Sequence, residues 1–167
     1  MKLFKKKRGR KDINEIINDI MKSFKIIINE GKKRNFEFYH IVIKKTRAKH
    51  DRDLNFILTN KLFNTMNKFN NTIIDGINYI FVVEYSKVNS LGLRVTNDLG
   101  MHAHIFMSTC FSDDYLLNEI KSVFPESEDI FFENITKNND IDSLSGYFCK
   151  QKQFLRDEGY NYKINVT

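Results

Sequence analysis

Residues 101–109 read MHAHIFMST, and residues 77–85 before them read INYIFVVEY. Both runs are rich in β-branched and aromatic side chains and hold no proline, which is the composition of a strand. A loop of polar and small residues over 86–100 joins them. Side chains alternate in direction along a strand, so His102 and His104 point to the same side of whatever sheet forms here.

Working outward, FEFYHIVI at 36–43 and IFFENIT at 130–136 read as two further strands. Between them lie helical patterns. Asp12 can cap a helix running to about Glu30, with Ile13, Ile16, Ile17, Ile20, Met21, Phe24, Ile27 and Ile28 recurring at helical spacing. Gly31 is expected to end it. Residues 53–69 place Leu54, Ile57, Leu58, Leu62, Met66 and Phe69 on one side of a second helix, and a turn around Asp75-Gly76 follows. Ser112 and Asp113 open a third helix, which stops before Pro125. Asp142 or Ser143 caps a fourth, carrying LSGYFCKQKQFL, and the remaining residues form a short last strand or a frayed tail. This order predicts an α+β fold: a central antiparallel sheet of four to five strands flanked by helices, with one face left partly open.

A length of 167 residues and 41% hydrophobic content fit one domain with a real core. The formal charge of +6 is unevenly placed. The first eleven residues, MKLFKKKRGRK, hold seven Lys or Arg, and removing them leaves 20 basic against 21 acidic residues. Residues 1–11 therefore read as a basic, disordered arm, either a nucleic-acid contact or a solubilising tail, and 12–167 as the domain. The N-terminal helix at 12–30 reads as an addition to it. Cys110 and Cys149 fit no CxxC spacing, so a disulfide framework and a cysteine zinc site are not expected. Neither a signal peptide nor a membrane span is legible, and an intracellular, soluble protein with no membrane partner is expected.

Three features carry chemistry. His102 and His104 can share one divalent ion, although an HxH pair also occurs in ordinary packing. Glu84 sits at the end of the apolar run Phe81-Val82-Val83, where a carboxylate needs a partner. Pairing of the two strands quoted first brings it close to both histidines. Two imidazoles and one carboxylate leave coordination positions open, which suits Mg²⁺ or Mn²⁺ holding a phosphate. Tyr147 and Lys150, spaced i and i+3, share a helix face. Tyrosine is a weak nucleophile near neutrality because its ordinary pKa is about 10, and a metal-polarised phosphodiester with a nearby ammonium makes its attack feasible. Taken alone, the pair is also compatible with a buried Tyr and an exposed Lys. Lys44, Lys45, Arg47, Lys49 and Arg52 crowd the stretch after the first strand and can follow a DNA backbone, or simply face solvent. His40 and His50 can also approach the metal, with a sheet or core role the commoner fate for His40.

Taken together, YIFVVEYSK, GMHAHIFMST and LSGYFCKQ resemble the motifs of the HUH endonuclease superfamily, and most of all its Rep type, the initiators of rolling-circle replication. The likeness covers residues 36–155, and FYHIVIKKT departs from the family's usual first motif. It implies a ferredoxin-like related sheet and a metal held by His102, His104 and Glu84. It further implies a single nucleophile, Tyr147, assisted by Lys150. By that likeness the chain nicks single-stranded DNA or an origin hairpin, stays joined to the 5′ phosphate, and works with a separate helicase. A single-tyrosine transposase of the same superfamily and a DNA-binding module without cleavage activity remain alternatives. A zinc deaminase is excluded, since HxE with paired cysteines is missing, and so is a built-in helicase motor, since no GxxxxGK[ST] occurs.

Overall fold

The strand quoted first lies at the middle of the molecule. A computed structural model describes residues 11–44, 46, 48–69, 77–85, 101–125, 127, 129–150, 155, 158–159 and 161–166. Its sheet runs β4 (Ile130–Asn134), β1 (Glu37–Lys44), β3 (Met101–Thr109), β2 (Asn78–Tyr85), β5 (Tyr162–Asn165), and every neighbouring pair is antiparallel. The fold is thus α+β with five antiparallel strands, and the tail left open by the sequence supplies the last of them. All nine residues of β3 are buried, because elements cover the sheet on both sides.

One face presents Tyr39, Ile41 and Ile43 of β1, Tyr79, Phe81 and Val83 of β2, and Met101, Ala103, Ile105 and Met107 of β3. A helical segment from Asp51 to Phe69 packs there, with α4 (Asp113–Val123) beside it through Leu116 and Ile120. That segment is not the uniform helix expected. It begins two residues earlier and passes from α2 (Asp51–Phe56) through a π-helical stretch, Ile57–Phe63, into α3 (Asn64–Phe69). Leu54, Leu58, Leu62 and Met66 recur at every fourth residue and are all buried. Such a spacing drifts off one side of a regular α-helix at 3.6 residues per turn, and the wider π turn keeps the row facing the sheet.

The other face presents Phe38, Ile80, Val82 and Phe106, covered by α1 (Ile13–Lys33) and by Phe148 of α5 (Leu144–Phe148). Asp12 caps α1 as expected, and Glu15 returns the bond to close a capping box. Lys11, the last residue of the expected arm, is described and pairs with Asp19. α1 forms one wall of the core: Ile16, Ile20, Phe24 and Ile27 are buried, and Phe24 stacks on Phe106 with ring centroids 4.4 Å apart. One expectation needs correction: Gly31 does not end the helix, which runs to Lys33. Gly31 lies buried against the sheet, and a Cβ there would sit 2.5 Å from Ser108 Oγ and 2.6 Å from the Phe38 ring. The glycine is required by close approach. On the same face His102 and His104 line a cleft together with His40, Val42, Lys44, Phe131 and Tyr147.

Helix propensity alone favours alanine over glycine by about 1 kcal/mol. At Gly31 the contact with two buried side chains reverses that sign. We expect Gly31→Ala to destabilise the fold by about 1–3 kcal/mol, read as a lower denaturant midpoint at unchanged slope.

Candidate metal centre

Strand register sets the first distances. Glu84 of β2 pairs directly with His102 of β3, and Val82 pairs with His104, so Glu84 also lies diagonal to His104 on the same face. Glu84 Oε2 stands 3.7 Å from His102 Nε2 and 3.3 Å from His104 Nε2. All three side chains are buried, and one donor atom from each falls within 4.8 Å of the others. Donors bound to one ion at about 2.0–2.2 Å stand about 3–3.5 Å apart, so the spacing is close to that of a ligand set. Glu84, His102 and His104 can hold a metal ion.

The polar atoms support that use. Neither Glu84 oxygen nor His104 Nε2 completes a hydrogen bond of good geometry, although all are buried. Buried donors and acceptors are normally satisfied, and an ion accepting their lone pairs resolves the deficit. Protonation states agree. Burial alone would raise the Glu84 carboxyl, but His102, His104 and the Lys150 ammonium outweigh it and hold it down to about 2. Burial pushes His104 below the ordinary histidine value, against the pull of Glu84.

The tyrosine arrives from α5. The helix expected over LSGYFCKQKQFL is shorter than predicted: a 3₁₀ turn, Ile141–Ser143, leads into α5, which ends at Phe148. Gln151, Lys152, Gln153 and Phe154 lie outside the described residues. Lys150 follows the helix rather than continuing it, yet its backbone N–H still bonds the Tyr147 carbonyl at 3.3 Å. Phe148 faces the core and packs edge-on against Phe24 at 5.0 Å. Tyr147 faces outward and is 43% exposed. Its ring meets His104 edge-on at 5.0 Å, and Lys150 Nζ lies 3.8 Å over it. The same ammonium reaches Glu84 Oε2 at 3.1 Å. Burial works against its charge, but Tyr147 and Glu84 prevail and raise its pKa.

The five residues predicted for catalysis and metal binding, Glu84, His102, His104, Tyr147 and Lys150, therefore gather at one end of one sheet face. The basic stretch divides. Lys44 lies opposite His102 on β1 and lines the cleft above the centre. Lys49 and His50 are exposed and stand outside that lining, as does Arg52. Lys45 and Arg47 fall outside the described residues, as do residues 1–10 of the arm and the loop over 86–100.

Two cleft residues were undervalued by the sequence reading. His40 Nε2 lies 3.3 Å from His104 Nδ1 with the rings nearly parallel, 19° apart. That contact turns His104 so that Nε2 faces Glu84. Burial, with His104 and Lys150 nearby, lowers the pKa of His40 to about 4, so it is neutral and can accept the Nδ1–H bond. Phe131 of the edge strand β4 is exposed at the mouth. The alternation of β1 places His40 on the face shared with Phe38 and Val42, a clue the sequence did hold.

No protein-family model matches the chain, and no curated protein matches it. Among solved structures it is similar to the hypothetical protein ORF119 from Sulfolobus islandicus rod-shaped virus 1. That similarity has a TM-score of 0.49 at 21% identity, over 84% of this chain and 99% of the other. At that level it carries no functional argument. Among the described residues, no helix is long and apolar enough to cross a membrane.

Groups that orient a metal-binding imidazole are commonly worth 10–100-fold in metal affinity. His40→Ala is expected to weaken binding of a divalent metal ion at this group by about that factor in calorimetric titration, with the far-ultraviolet circular dichroism unchanged.

Proposed function

We propose that the chain is a metal-dependent endonuclease that nicks single-stranded DNA through Tyr147 and rejoins ends by the reverse reaction. The observation that carries this reading is the meeting of an outward-facing phenol, an ammonium and a buried Glu84–His102–His104 group at one open cleft. The resemblance to Rep-type HUH endonucleases supports the same reading and extends it to initiation of rolling-circle replication of a plasmid or virus.

Glu84, His102 and His104 would hold the metal, with Mn²⁺ or Mg²⁺ the ions best matched to open positions facing a phosphate. When bound, the ion supplies positive charge to the non-bridging phosphate oxygens. Tyr147 Oη forms a bond to phosphorus and gives up its proton to solvent water. The P–O3′ bond breaks, and the departing 3′ oxygen takes a proton from solvent water to become a hydroxyl. The strand's 5′ phosphate stays on Tyr147, and the energy of the broken ester is conserved in the new one, so the free 3′-OH can attack it and restore the strand. Lys150, over the Tyr147 ring, stabilises the phenolate as it forms and the charge on the phosphorane oxygens. Lys44 at the rim meets the backbone of the same strand. The fixed ring of His104 beneath Tyr147 limits the phenol to approach from one side.

Incubation with labelled single-stranded oligonucleotides and Mn²⁺ should give an adduct that survives denaturation, and chelation should prevent it. Tyr147→Phe should abolish the adduct while leaving DNA binding intact; a phenylalanine variant that still forms it removes Tyr147 from the role. His102→Ala with His104→Ala should abolish metal-dependent cleavage in a protein that remains folded. Lys150→Ala should slow adduct formation by about 100-fold or more.

A further inference from the structure

Only five large hydrophobic side chains among the described residues are strongly exposed: Met21, Ile26, Phe56, Phe131 and Tyr147. Two of them line the same cleft, a space of about 360 Å³ above the metal-binding group. Phe131, 46% exposed, comes from β4 at the sheet edge, and Tyr147 comes from α5. Between them lies the ring of His40, centred 5.5 Å from Phe131 and 6.2 Å from Tyr147. The Phe131 ring is inclined 65° to the His40 plane and the Tyr147 ring 79°. His40 and His104, nearly parallel, form the floor together with Val42. The shape is a slot with two aromatic walls standing steeply on a flat floor.

The walls and the charge define the occupant. A flat group with apolar faces fits against Phe131, and Lys44 at the rim, with Lys150 below, favours a polyanion on the same molecule. An unpaired nucleobase attached to a phosphate has both properties. A base within a duplex does not, because its faces are already covered by its neighbours. Phe131 is also held in place without being buried. Its strand is paired with β1, where it lies opposite Val42, and its ring rests edge-on against His40. A preset ring costs little ordering on binding.

We propose that Phe131 is the stacking platform for an unpaired nucleobase of the strand whose phosphate lies at the metal-binding group. This rests on the nicking reading for the position of that phosphate, and it adds the reason the substrate must be single-stranded. Phe131 neither touches the reacting atoms nor holds the metal; it is a binding residue.

Two fluorescent probes of equal charge test this: a thymidine homopolymer and the matching strand of abasic sugar-phosphates, both titrated by anisotropy. Wild-type protein should bind the thymidine strand more tightly than the abasic one. Phe131→Ala should lower affinity for thymidine by about 5- to 150-fold, the range that one base–aromatic stack is worth, and leave affinity for the abasic strand unchanged. Phe131→Trp should retain the preference for bases. Equal binding of both probes by the wild type, an alanine variant that binds thymidine as the wild type does, or a loss of equal size on both probes would each overturn the platform. Failure of the wild type to form a tyrosine adduct would count against the nicking reading instead, and the two results are separable because binding is measured without cleavage. Thermal unfolding of Phe131→Ala checks that its fold is intact, as expected for a side chain half in solvent.

Discussion

The ion pair between Glu84 and Lys150 ties the two halves of the site together. An ionised carboxylate that is only 1% exposed cannot stand at the end of an apolar strand without compensation, because desolvating a lone charge costs several kcal/mol. His102 and His104 share that compensation with Lys150, which reaches Glu84 Oε2 at 3.1 Å and comes from the turn directly after α5. Holding the ammonium on Glu84 therefore also holds Tyr147 above His104. A metal ion held by Glu84, His102 and His104 would bring its own charge to the same carboxylate, and under the proposed function Lys150 would then be freer to serve Tyr147 and a phosphate. The charge that helps to make the burial of Glu84 tolerable in the protein alone is thus the charge the proposed reaction calls on.

Packing on the far side of α5 fixes the same element from below. Phe106 of β3, Phe24 of α1 and Phe148 of α5 form a run of touching rings, the first two stacked and the third edge-on. Phe38 continues the run, stacked parallel on Phe106 at 6.2 Å. Consecutive residues of a short helix point in different directions, so burying Phe148 turns Tyr147 outward toward the cleft. α1, which lies outside the resemblance, thereby helps to seat the cleft: Phe24 is one of the rings that hold Phe148, beside His40 and His104, and α5 is only five residues long. The close seat of α1 at Gly31 belongs to the same arrangement.

Much of this was legible in the chain. The strands at 37–44, 78–85, 101–109 and 130–134 fall within two residues of the expected bounds at either end, since alternation and β-branched composition are local signals. Grouping Glu84 with His102 and His104 needed only the pairing of two neighbouring strands in register. Errors arose where packing overrules propensity. The last helix carries an unbroken helical pattern, yet α5 stops at Phe148 while Lys150 turns back to Glu84. Gly31 has the composition of a helix stop, and it is instead a point of contact with the sheet.

By itself the sequence determined the element types, the shared side of His102 and His104, and the chemistry available, because these follow from side-chain identity and from periods of two and of about 3.6 residues. Tertiary structure alone decided that Tyr147 lies on the histidine side of the sheet, that His40 orients His104, and that an edge-strand phenylalanine walls the cleft. Those relations join residues distant along the chain, and they are set by which faces must be buried against each other. No local spacing encodes that.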